Sequence, residues 1–116
     1  MTRKEALAEL IAKVEAGEWI ANGGGEDTWL AILDAGMQTY HAYIYEAWCR
    51  NSLDAAKALH EAVLPEWDWE ISSQSAAAVF KGPHLSGPSF LDASQSPPRA
   101  WLLSILKALH SMEPEA

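Results

Sequence analysis

The 116-residue sequence predicts an α+β fold: a small antiparallel sheet packed with helices in a single domain. Three observations predict it. Apolar residues recur at helical spacing in four separated stretches. Between the third and fourth of these, Glu66–Trp67–Asp68–Trp69–Glu70–Ile71 alternates polar and apolar, as a half-buried strand does. Hydrophobic residues at 49% and charged residues at 21% are ordinary globular values, and no apolar run approaches the ~20 residues a membrane helix needs.

The first helix is expected over residues 2–16. Leu7, Leu10, Ile11 and Val14 share one face, Thr2 and Glu5 fit a capping box, and Gly17 suits the stop. Residues 21–27, with three glycines in succession, read as a turn or mobile loop. Asp27 is the expected N-cap of a second helix, about 28–36, with an apolar stripe of Trp29, Ile32 and Leu33 and an end at Gly36. Residues 38–50 suit two periods. Tyr40, Ala42 and Ile44 alternate as in a strand, while Tyr40, Ile44 and Ala47 also share a helical face; helix or irregular structure is the preferred reading.

Ser52 opens a helix over 53–64, its hydroxyl capping the first turn and Asp54 meeting the positive end of the helix dipole. Leu53, Ala56, Leu59 (or His60) and Val63 form the buried stripe, and Pro65 stops it. In the strand that follows, Trp67, Trp69 and Ile71 face one way and Glu66, Asp68 and Glu70 the other. Residues 76–81 make a second strand, joined through Ser73, Gln74 and Ser75 as a hairpin. Residues 82–98 form a long Gly/Pro loop that leaves room for a short edge strand at Ser89 to Leu91. Ser96 caps the last helix with Pro97 in its first turn, and Trp101, Leu102, Ile105, Leu106 and Leu109 form its apolar face.

The charge balance is 16 acidic to 8 basic residues, a net −8. Non-specific nucleic-acid binding and docking on anionic membranes both rest on Lys and Arg, so both are disfavoured. Six tryptophans (Trp19, Trp29, Trp48, Trp67, Trp69 and Trp101) can each bury roughly 200 Å². Most are expected in the core, with Trp19 and Trp48 the candidates for an exposed anchor.

Candidate chemistry is sparse. His60–Glu61 opens an HExxH-like string, but position 64 is Leu, so the second zinc ligand is missing. His41 and His110 have no ligand-spaced partner, and His84 lies in the Gly/Pro loop. Gly87–Pro88–Ser89–Phe90–Leu91 lacks the closing glycine of a nucleophile elbow. Cys49, the single cysteine, excludes an internal disulfide and reads as a packing residue. No catalytic residue, cofactor or metal is expected.

The order SLDAAKALHEAVLPEWDWEIS, AAAVF, ASQSPPRAWLLSILKAL resembles the phage alpha–beta–alpha sandwich domain, a group of small phage and prophage proteins. The likeness spans residues 52–112 and the first helix. It is carried by Ser52, Asp54, Ala55 and Ala56, by Trp67 and Trp69, and by Pro98 to Leu109. It implies an αβα-type sandwich and a phage or prophage origin, and brings no catalytic residues. In such a sandwich the carboxylates of the Trp-rich strand would need Arg99 or Lys107 as partners, or the strand would lie at an edge. The resulting expectation is a non-enzymatic accessory protein of the host bacterial cytosol that binds another protein, for instance a host defence nuclease. The expected interaction patch is Glu66, Asp68 and Glu70 with Trp19 and Trp48. The alternatives are a small hydrolase with His84 and Ser89 in the 82–98 loop, and a self-associating structural protein built on exposed Trp19 or Trp48.

Overall fold

A computed structural model of the chain describes residues 2–16, 25–72, 76–81, 89–93 and 97–113. In chain order the elements are α1 (Arg3–Ala16), α2 (Gly25–Asp34), a 3-10 turn (Gln38–Tyr40), α3 (His41–Cys49), α4 (Leu53–Val63), β1 (Trp67–Ser72), β2 (Ala76–Lys81), β3 (Ser89–Ala93) and α5 (Pro97–Met112).

Local chemistry sets most helix ends. The Thr2 hydroxyl accepts from the Glu5 N–H at 3.1 Å while the Glu5 carboxylate accepts from the Thr2 N–H at 3.3 Å, a reciprocal capping box. The Thr2 hydroxyl also donates to the Glu5 carboxylate at 2.9 Å, and this bond, with that from the Thr2 N–H, holds the Glu5 carboxyl below its usual range. Ser52 Oγ accepts from the Ala55 N–H at 3.0 Å and caps α4. α2 ends in a Schellman motif. Gly36 takes φ +72°, Met37 N–H bonds Ile32 O, Gly36 N–H bonds Leu33 O, and Ile32 and Met37 are both buried. Arg3 Nε donates to Ala35 O at 2.8 Å, so α1 reaches across to close that end. Between α3 and α4, Asn51 takes φ +54°, and the N–H groups of Arg50 and Ser52 both bond Glu46 O.

Several expectations need correction at this level. α2 begins at Gly25, so Asp27 lies inside its first turn and is not the cap. Of the expected stripe of α2, Ile32 is buried and Leu33 is exposed, while the Trp29 side chain lies outside what the structure describes; Ala31, and Ala35 just past the helix, are buried as well. Residues 38–49 are helical, in line with the helical side of the preferred reading and not with a strand, with Ile44, Ala47 and Trp48 buried. Leu53 is exposed, and the inward stripe of α4 is Ala55, Ala56, Leu59 and His60. Gly17, the hairpin link 73–75, and Ser96 lie outside the described residues.

The strands run in the order β1-β2-β3, all antiparallel, with Trp69 opposite Val79 and Val79 opposite Phe90. β1 is therefore an edge strand. The helix that packs on the sheet is α5, chiefly on β2 and β3; its other sides meet α1, α3 and α4.

The expected α+β fold, a sheet packed with helices in an αβα-type sandwich, is thereby overturned. A sandwich places the sheet in the middle with helices on both faces. Here the middle element is a helix, and the domain is mostly helical: helices of 14, 10, 9, 11 and 16 residues outweigh strands of 6, 6 and 5. The physical reason lies in α5. Beyond the expected face, Ala100, Leu103, Ser104 and Ala108 are also buried, so this helix needs cover nearly all round. The outer face of β1 carries carboxylates and belongs in water.

One core unites α1 to α5 with Trp67 and Val79 of the sheet. Arg99 Nη2 donates to Val14 O at 2.7 Å in the last turn of α1, where the helix dipole favours a cation. Lys107 reaches Glu15 at 3.5 Å, and Arg3 pairs with Glu113. Such solvent-accessible pairs contribute about 0–1 kcal/mol each, far below the burial of the core.

Candidate functional site

β1 follows α4 after a tight reversal. Leu64 fills the core behind α4, its carbonyl accepts the Trp67 N–H at 3.0 Å, and the exposed Pro65 and Glu66 form the turn. Glu66 thus precedes the strand instead of standing on it. Asp68 and Glu70 stand on β1, one pleat apart, about 7 Å along the strand. All three carboxylates are exposed.

Trp67 and Trp69 turn to the other face, toward α5. Trp67 is buried. Trp69 at the rim keeps 37% of its surface open while its ring lies 5.3 Å, centroid to centroid, from that of Trp101. Of the expected patch, then, Glu66, Asp68 and Glu70 come together at one edge. Trp48 does not join them: at 2% exposure it is a core residue of α3, so the expectation of an exposed anchor there is corrected. Its ring is large enough to seal the core between α3 and its neighbours, and burying it outweighs the gain from presenting it. Trp19 lies outside the described residues.

Beneath β1 sits the group that sequence reading set aside. His60 on α4 is buried at 1% exposure and joins three elements. Its Nε2 lies 2.7 Å from Trp67 O, which can only accept, so Nε2 carries the proton. Its Nδ1 accepts from the indole N–H of Trp101 on α5 at 3.2 Å. The ring is therefore neutral, with both nitrogens engaged. Trp69 meets it edge to face at 5.0 Å. Burial pushes its pKa below the ordinary 6.5, against the opposing pull of the Trp67 carbonyl and of the charges on Glu61 and Asp68. The sequence signal was its place on the inward stripe of α4. Its partners, 7 and 41 residues away, carried no signal at all.

This geometry bears on the chemistry considered from sequence. An imidazole with both nitrogens bonded inside the core has no free nitrogen to take a proton from Cys49 or to bind zinc. The Cys49 thiol is half-buried, and burial pushes its pKa up against the opposing charge of Arg99, which keeps it in the unreactive thiol form. Among the described residues, no three His, Cys, Asp or Glu gather as metal ligands would. Of the expected hydrolase pair, Ser89 opens β3, while His84 and the Ser89 side chain lie outside what the structure describes. Arg99 and Lys107, the expected partners of the strand carboxylates, are directed to Val14 O and Glu15 on α1. No helix among the described residues is long and apolar enough to cross a membrane. No family model, curated protein or solved structure matches the chain.

Proposed function

We propose that this chain acts by binding a basic protein surface through the carboxylates of β1 and its preceding turn, and not by catalysis. The observation that carries the reading is the position of Glu66, Asp68 and Glu70: all exposed, all at one strand edge, on a chain of net charge −8. Three clustered carboxylates raise the encounter rate with a cationic partner and penalise acidic ones. The neutral, fully bonded His60 supports the non-enzymatic half of the reading, since the one histidine held against this strand serves the fold. The resemblance of residues 52–112 to phage sandwich domains, though no family model matches, directs the search to a partner in the bacterial cytosol, with a defence nuclease as one specific version.

The test is affinity capture from bacterial lysate at two salt concentrations, with the wild-type chain and with E66K/D68K/E70K. The expected result is a basic protein retained by the wild type, released at higher salt and absent with the variant. A partner retained equally by both would refute the role of these carboxylates.

A further inference from the structure

The mode of binding can be read from the backbone of β1. In an antiparallel pair, successive residues point their N–H and C=O alternately toward the neighbouring strand and away from it. Trp67 fixes the phase. Its N–H is given to Leu64 O and its C=O accepts from His60, so both groups point away from β2. By alternation, Asp68, Glu70 and Ser72 bond β2 opposite Phe80, Ala78 and Ala76, while Trp69 and Ile71 turn their N–H and C=O to the outer side. Among the described residues no strand pairs with that side.

We infer that the outer edge of β1, from Trp69 to Ser72, accepts an extended basic segment of the partner as a fourth strand. This rests on the proposed function and names its mode. Strand addition supplies main-chain hydrogen bonds for affinity, and alternate side chains for selectivity. Both faces of the edge specify the same segment. On the outer face, Asp68 and Glu70 repeat at the pleat spacing, which Lys or Arg at alternate positions of an added strand would match. On the inner face, the exposed rim of Trp69 calls for an apolar residue between them. A second copy of β1 is the wrong occupant, because it would set carboxylates beside carboxylates, and like charges on adjacent strands repel. The occupied backbone of Trp67 sets where pairing starts: the first pair of groups with no strand partner among the described residues belongs to Trp69.

The experiment is an NMR titration of the whole chain with a synthetic peptide of alternating Lys and Val. A matched peptide, N-methylated on the amides that would face β1, serves as control. Both are repeated on E66K/D68K/E70K. Strand addition predicts shifts at the Trp69 and Ile71 amides, slower exchange of both with solvent, and at least tenfold weaker binding of the N-methylated peptide, about 1.4 kcal/mol. Equal binding of the two peptides, lost in the triple variant, would overturn strand addition while leaving the acidic surface in place. Binding of neither peptide, or binding unchanged by the triple variant, would overturn strand addition to this edge. The lysate capture judges the acidic-surface reading separately.

Discussion

Protonating or removing His60 should loosen the junction of α4, β1 and α5 by an amount the structure sets. The ring holds two buried hydrogen bonds, from its Nε2 to Trp67 O and from Trp101 to its Nδ1. Removing it strands a buried carbonyl and a buried indole N–H, each costing about 1–3 kcal/mol. H60A should therefore lose roughly 2–6 kcal/mol, a large share of the 5–15 kcal/mol typical of a domain. H60Q can still donate to Trp67 O and accept from Trp101, so it should lose less and stay folded. The pH dependence follows from the same bonds. Burial lowers the pKa of His60 in the folded chain, so just below pH 6.5 the unfolded chain holds the extra proton and the folded chain does not. Stability should be fully present above pH 6.5. It should fall as the pH drops below that value, by up to about 1.4 kcal/mol per unit, until the folded-state pKa is passed. Glu61 and Asp68, whose charges favour the imidazolium, moderate that fall. Urea unfolding followed by tryptophan fluorescence at pH 7.5, 6.5 and 5.5 measures it, and subtracting the H60Q curve removes the other titrating groups. Parallel pH curves for wild type and H60Q, or a loss under 1 kcal/mol in H60A, would refute the reasoning.

Other substitutions probe the frame that presents β1. S52A removes the cap on Ala55 N–H and should cost about 1 kcal/mol in urea melts, with S52D restoring most of it. G36A should cost about 1–2 kcal/mol, because φ +72° strains any L residue. Space is not the cause there: the nearest atom to an added Cβ is Arg3 Nε at 4.0 Å. W48A should cost about 3–5 kcal/mol as a core cavity, read by the same melts; a loss under 1 kcal/mol would mean that the ring is not packed as described.

What could be read from the sequence was what short segments decide for themselves. The Thr2–Glu5 box, the Ser52 cap and the Gly36 stop each lie within a few residues of the groups they satisfy, so residue type and spacing sufficed. The alternation of Trp67, Asp68, Trp69 and Glu70 likewise separated the face toward α5 from the face toward water. The layering was not legible. Ala100, Ser104 and Ala108 are small and give a weak apolar signal, yet they are buried because other elements close on α5 from that side. Gly25 and Asp27 read as loop because three glycines in succession resist regular structure, whereas α2 forms from Gly25 on, with Ala31 and Ile32, and Ala35 just past its end, packed into the core. Trp48 was equally compatible with core and surface until α3 was set against its neighbours. Half of the candidate site was visible, in its carboxylates. The other half, His60 beneath the strand and the outward backbone of Trp69, depends on contacts that no local pattern encodes.

The most direct single measurement is amide hydrogen exchange along β1 in the free protein. An open edge predicts slow exchange at Asp68 and Glu70, which bond β2, and fast exchange at Trp69 and Ile71. Equal protection at all four would mean that the edge is already covered and has no place for a partner.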